Sequence, residues 1–160
     1  MNRGTTFFLK IALILIGIPI LAMCIFLSPL ILKDAGEGSA EMAYVLYGIL
    51  TLMFVSAIPF YVALYQAFLL LNYIDNNKAF SEISVKALKK IKHCATTISI
   101  LFVAGMPLFY IVGEVDDAPG VIVIGMVIIF ASMVISVFAA VLQRLLKEAI
   151  HIKSENDLTV

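Results

Sequence analysis

The sequence predicts an all-α integral membrane protein, a single domain over residues 1–160, with four transmembrane helices arranged as two antiparallel hairpins. Asp, Glu, Lys and Arg are absent from residues 11–32, 42–74, 93–113 and 118–143. Each stretch reaches the roughly 20 apolar residues that a helix needs to cross a bilayer. The composition agrees, because 62 % of the residues are hydrophobic and the mean hydropathy is +1.08. Soluble domains are usually less apolar, so the lipid bilayer is the first partner that the sequence predicts.

The first span is predicted over about residues 8–32. The start of the chain also resembles a lipoprotein signal that would be cleaved before Cys24. Such a signal has small residues before its cleavage site, whereas Met23 is large. We therefore expect an uncleaved first span. The loop 33–41 that follows is short, so the first two spans are expected to be antiparallel neighbours.

A charged connection joins the second and third spans. Asn76 and Asn77 suit a turn, because asparagine tolerates the left-handed backbone conformation. Ser81 is the expected N-cap of an amphipathic helix over residues 81–92. No proline or glycine lies between it and the third span, so this helix is expected to lead directly into that span.

The last predicted turn runs from Asp116 to Gly120. It contains the proline and glycine that are typical of a sharp reversal. The fourth span follows, and then a charged tail over residues 144–160. The tail is interpretable as a solvated chain end or as part of a docking surface.

The charges predict the orientation of the chain in the cell membrane. Lys33 is the one exception among 11 basic residues, since all the others lie before the first span, in the central connection or in the tail. Cytoplasmic segments of membrane proteins carry an excess of Lys and Arg. Both termini and the central connection are therefore predicted to be cytoplasmic.

The amphipathic helix has a basic face and an apolar face. At 100° per residue, Ala87, Leu88 and Ile91 share one face. Another face carries Lys86, Lys89, Lys90 and His93. This face has three interpretations: a topology determinant among anionic headgroups, a specific lipid-headgroup site, or a docking surface for an acidic partner.

The four uncharged stretches contain none of the Asp, Glu, Lys or Arg residues that usually mark an ion pathway. Their polar residues are modest, and interhelical hydrogen bonds explain most of them. A small transporter or channel-like component for a hydrophobic compound is the alternative function. Its candidate residues are Gln66, Asn72, Ser132 and Gln143.

Catalytic and metal-binding patterns are missing from the sequence. The candidate ligands at the cytoplasmic edge are His93, Cys94 and His151, and they show neither HxxxH nor CxxC spacing. The Asp116-Asp117 pair has no histidine or lysine beside it. We therefore expect a protein that is not an enzyme and that needs no metal and no cofactor.

Two cytoplasmic segments carry a family resemblance. The segments are Phe80-Ser81 followed by Val85, Leu88 and Ile91 with lysines between them, and the ending Glu155–Val160. Together they resemble a family of uncharacterised four-span bacterial membrane proteins. Many of its members place a glycine in the central turn, where this chain has Asn77 or Lys78.

The resemblance implies a partner. Genes of that family commonly neighbour a small Cro/Xre-type helix-turn-helix regulator, which suggests that the membrane protein binds or restrains this regulator. Direct binding of nucleic acid by this chain is not expected, because its few basic residues lie close to the bilayer. The partner-binding residues under this hypothesis are Phe80, Ser81, Lys86, Lys89, Lys90, Asp157, Leu158, Thr159 and Val160.

Overall fold

The computed structural model describes residues 3–158, which form four long helices. They are α1 (Arg3–Glu37), α2 (Ala40–Asp75), α3 (Glu82–Val115) and α4 (Pro119–Leu158). Each is long and apolar enough to span a membrane, which confirms the all-helical, four-span part of the prediction. α4 has 40 residues and is therefore about 60 Å long at 1.5 Å per residue. A bilayer core is only about 30 Å thick, so part of α4 extends well beyond it.

The turn between α2 and α3 is built around Asn77. Its φ is 59°, in the left-handed region. Its N–H donates to the carbonyl of Ile74 at 3.2 Å, and the N–H of Lys78 donates to the carbonyl of Tyr73 at 2.7 Å. This pair of bonds is the Schellman motif that closes many helix C-termini. Asparagine therefore takes the backbone role expected of it here.

The turn between α3 and α4 corrects the prediction that Pro and Gly make the reversal. Asp117 reverses the chain instead, with φ at 51°. The N–H of Ala118 then donates to the carbonyl of Gly113 at 2.9 Å. Pro119 begins α4, a position where its missing N–H costs nothing. Gly120 lies inside the helix, and no glycine among the described residues has a positive φ.

The helices pack in chain order as an open row. α1 packs against α2, α2 against α3, and α3 against α4. Within residues 3–158, no Cα of α1 comes within 8 Å of α3 or α4, and α2 and α4 are equally separate. α3 is therefore an inner helix with a neighbour on each side, whereas α1 lies at the edge of the row with one neighbour.

Glycines allow α2 and α3 to approach closely. A Cβ added at Gly48 would lie 2.9 Å from Leu108 Cδ1. The reciprocal pair is Leu52 over Gly105, where an added Cβ would overlap the Leu52 side chain. Each helix thus offers a glycine to a leucine of the other. Small residues that bring backbones together are the usual device of helix packing in membranes.

Candidate partner-binding surface

One end of the molecule collects most of its basic residues. Thr6 near the start of α1 bonds to Asp75 at the end of α2, and a short turn joins Asp75 to α3. Thr96 of α3 bonds to Ser136 of α4 at 2.7 Å, and α4 runs on past this contact to its C-terminus. We call the region formed by residues 3–10, 75–93 and 144–158 the basic end.

An ion-pair cluster fastens α1 to α2 at the basic end. The Lys10 ammonium donates to Asp75 Oδ2 at 3.0 Å, and each side chain is 20 % exposed. The Thr6 hydroxyl bonds to the other carboxylate oxygen, and Thr6 is fully buried. The Lys10 ammonium also lies 5.3 Å from the centroid of the Phe68 ring, within the range of a cation–π interaction. We call these four residues the α1–α2 clamp.

The α1–α2 clamp is not predictable from any local sequence pattern. Thr6 and Asp75 are 69 residues apart, and no local pattern links them. One signal was available, since Lys10 and Asp75 each directly border an uncharged stretch on the predicted cytoplasmic side. Opposite charges at the same depth of neighbouring antiparallel helices are candidates for an ion pair.

The start of α3 differs in detail from the prediction. Ser81 occupies the N-cap position with extended backbone, φ −141° and ψ 160°, but its side chain makes no capping bond. Its hydroxyl donates instead to the carbonyl of Lys78. Ser84 donates to the same carbonyl at 3.1 Å and is fully buried. Two serine hydroxyls therefore tie the turn to the first turn of α3.

The two faces at the start of α3 separate as the helical periodicity requires. Ala87 and Leu88 are buried and Ile91 is half-buried. The side chains of Lys86, Lys89, Lys90 and His93 are exposed. Phe80, just before the helix, is 57 % exposed, and Ser81 is half-buried. The candidate basic residues thus share one accessible face, and an exposed aromatic residue, Phe80, lies just before the helix in the chain.

The C-terminal part of α4 is helical, although it was predicted only as a charged tail. Two side-chain pairs run along it, with Arg144 Nε 3.8 Å from Glu148 Oε1 and His151 Nε2 3.1 Å from Glu155 Oε1. Residues 151–158 are all exposed. Asp157 and Leu158 of the candidate surface lie at the tip of the helix, whereas Thr159 and Val160 lie outside the described residues.

The polar residues of the alternative function lie on helices that do not pack together. Gln66 is buried on α2, whereas Ser132 and Gln143 are buried on α4. Asn72 is half-buried. Ser132 donates to the carbonyl of Ile128 at 2.7 Å. Since α2 and α4 are separated by α3, these side chains do not form a single cluster.

No metal-binding cluster occurs in the described part of the chain. Nowhere in residues 3–158 do three or more His, Cys, Asp or Glu side chains gather in a geometry that could hold an ion. Cys94 is half-buried, and His93 and His151 are exposed on separate helices. The three candidate ligands named from the sequence are therefore not assembled into a site.

Comparison with known proteins gives two findings. Residues 30–160 match the family model described as "Protein of unknown function (DUF2975)". The whole chain is similar to the "Uncharacterized membrane protein YoaS" of Bacillus subtilis (strain 168), with 68 % identity over 160 residues and complete coverage of both chains. No solved structure matches. The expected likeness to an uncharacterised family of bacterial membrane proteins is confirmed.

Proposed function

The chain belongs to the DUF2975 family, and we propose that it is a non-enzymatic, multi-pass protein of the cell membrane that binds a cytoplasmic protein through its basic end. The protruding tip of α4 is the observation that carries this proposal. Residues 151–158 continue the helix and are exposed throughout. Two large apolar side chains of this tip, Ile152 and Leu158, are 59 % and 83 % exposed. A helix tip beyond the bilayer gains nothing from exposed apolar side chains unless another surface covers them.

The charge distribution supports a cytoplasmic location for this surface. All basic residues except Lys33 lie at or near the basic end, and Lys and Arg are enriched on the cytoplasmic side of membrane proteins. In this orientation the four spans form two antiparallel hairpins, and both termini are cytoplasmic. The amphipathic start of α3 and the C-terminal part of α4 then project from the membrane side by side.

The partner surface combines three kinds of chemistry. The α3 face supplies Lys86, Lys89 and Lys90, and Phe80 supplies an exposed ring in the turn before the helix. The tip of α4 supplies apolar and acidic side chains. The register set by Thr96 with Ser136 places Glu82 level with Ile150. The tip therefore extends about 12 Å beyond the start of α3 at 1.5 Å per residue.

This geometry suits a small protein with an acidic patch beside an apolar one. The acidic patch would face the lysines of α3, and the apolar patch would cover Ile152 and Leu158. Rim charges of this kind mainly steer association and select the partner. A small helix-turn-helix regulator of the Cro/Xre type is the partner that the family resemblance suggests.

The test is site-specific photo-crosslinking in native membranes. A photo-reactive residue is placed at Lys90 or at Leu158, and a matched one at Lys33, near the opposite end of the molecule. We expect one DNA-binding protein to be captured from both positions at the basic end and not from Lys33. The captured protein, once purified, should bind the wild-type chain directly. This binding should be lost when Lys86, Lys89 and Lys90 of the chain are changed to glutamate. Recovery of lipid alone from positions 90 and 158 would overturn the proposal.

The transporter-like alternative rests on buried amides. Gln66 and Gln143 are 8 % and 7 % exposed in helices that could span a membrane. Polar side chains are costly at membrane depth and are often functional there. If this alternative holds, Gln66→Leu and Gln143→Leu should abolish tolerance to a hydrophobic compound. Charge reversal of the α3 lysines should then leave tolerance unchanged.

A further inference from the structure

A groove of about 370 Å³ runs along the seam between α1 and α2. α1 has no other neighbour within the described residues, so nothing from a third helix backs this seam. The wall from α1 includes Ile14, Ile18 and Leu21, and the wall from α2 includes Tyr61, Tyr65 and Phe68. Both helices are apolar enough to span a membrane. The groove therefore opens sideways, toward the hydrocarbon of a bilayer.

The floor of the groove is closed, and the Tyr61 hydroxyl there is hydrogen-bonded. A Cβ added at Gly17 would lie 3.2 Å from Leu64 Cδ1, so the two helices already touch there. The Tyr61 hydroxyl donates to the Gly17 carbonyl at 2.9 Å. Apart from the Tyr65 hydroxyl, the groove offers apolar surface. An apolar chain therefore suits it better than a polar solute.

The mouth of the groove at the basic end is positively charged. Phe68 lines the groove and lies under the Lys10 ammonium. Lys10 and Arg3 supply two positive charges here, and Asp75 supplies one negative charge. The Lys10 ammonium has three donors and gives one to Asp75. The Arg3 side chain is exposed. Together with the remaining Lys10 donors, it can thus bind an anionic group at the end of an apolar chain.

We propose that this seam binds one anionic phospholipid from the adjoining leaflet. One acyl chain lies in the groove between α1 and α2, and the headgroup phosphate lies at Arg3 and Lys10. An anionic phospholipid is the bilayer component that joins a long apolar chain to a headgroup with a net negative charge. The proposal requires only that α1 and α2 span the membrane, and it is independent of any cytoplasmic partner.

The test uses the full chain in bilayer nanodiscs of stated composition. One set contains phosphatidylglycerol with a photo-reactive acyl chain, and a second contains the matching phosphatidylcholine. Labelled peptides are mapped by mass spectrometry. We expect phosphatidylglycerol to label residues 13–21 and 61–68 more strongly than any other exposed helix face. A headgroup near Lys or Arg gains about 1 kcal/mol per basic residue. Arg3→Gln should therefore lower the preference for phosphatidylglycerol by about fivefold.

A matched pair of tryptophan variants distinguishes a lipid bound in the groove from the lipids that surround the whole protein. Ile18→Trp fills the groove, and Ile18 is 58 % exposed. Val137→Trp on α4 is the control, because Val137 is 63 % exposed and lies outside the groove. Labelling of the groove should fall with Ile18→Trp and stay unchanged with Val137→Trp. If Ile18→Trp fails to fold, as judged by circular dichroism, Ile14→Trp takes its place.

Three results would overturn the proposal. The first is equal labelling of the groove and of the outer face of α4. The second is groove labelling that a folded groove-filling variant leaves unchanged. The third is equal labelling by phosphatidylcholine and phosphatidylglycerol, which would remove the assignment of an anionic headgroup.

Discussion

α1 and α3 are almost equal in length, with 35 and 34 residues, yet they are held in the molecule very differently. Eleven of the 34 residues of α3 are buried, against four of the 35 residues of α1. α1 is nevertheless the more apolar of the two. In a bilayer, apolar side chains are as well placed against lipid as against protein. High hydrophobicity therefore marks α1 at the edge of the row, whereas small and polar residues mark α3 inside it.

The two helices also differ in their contacts. α3 is packed on both sides, since Gly105 meets Leu52 of α2 and Met106 meets Gly125 of α4. α1 depends on α2 alone, through the α1–α2 clamp and the contact at Gly17. The family model also begins only at residue 30, so most of α1 lies outside the matched region. Variants at equivalent positions of the two helices therefore test whether α1 is an accessory element.

The largest effect is expected from overfilling the crossing of α2 and α3. Gly105→Leu places a large side chain where even a Cβ would overlap Leu52. Overpacking of this kind costs about 3 kcal/mol of the free energy of unfolding. Gly36→Leu on α1 is the control, because nothing lies within 4 Å of a Cβ there. Unfolding measured in mixed micelles should weaken for the first variant only, and equal stability of both would contradict the close crossing.

A cavity in α3 should have the next largest effect. Leu88 is 7 % exposed and Leu15 of α1 is 63 % exposed. Leu88→Ala should destabilise the fold by about 2 kcal/mol, because it removes buried contacts and leaves a cavity. Leu15→Ala should change the stability by less than about 0.5 kcal/mol. Similar losses for both variants would show that α1 is packed against something that the row does not include.

Breaking the α1–α2 clamp should have a smaller and local effect. Asp75→Asn removes the ion pair with Lys10, whose side chain is 20 % exposed. We expect a small loss of stability, because partly exposed ion pairs contribute little. Hydrogen exchange should rise in residues 3–12 and stay unchanged in α3. Asp34→Asn is the control, since Asp34 lies exposed near the other end of α1, and equal exchange in the two variants would argue against the clamp.

The sequence predicted the helices and turns of this fold better than it predicted which helices pack against each other. Uncharged stretches set the four spans, and Asn77 was identified as a turn residue from its own conformational preference. The turn predicted over residues 116–120 contains the reversal at Asp117, whereas its Pro119 and Gly120, which fit a turn equally well, begin α4 instead. The open row and the Thr6–Asp75 bond depend on which helices touch. Nearly uniform apolar sequences carry little information about that choice, because lipid and protein are similar surroundings for them.

The smallest effect on stability, and the largest on the proposed partner, is expected at the exposed face of α3. Lys89 is exposed beside the buried Leu88, so Lys89→Glu should change the free energy of unfolding by less than about 0.5 kcal/mol. The same change places a negative charge in the centre of the lysine face and should sharply reduce capture of the partner. Lys33→Glu, at the opposite end of α1, should change neither quantity. A large loss of stability with Lys89→Glu would mean that this face of α3 packs within the protein. The difference in packing between α1 and α3 would then include the lysines that are proposed to bind the partner.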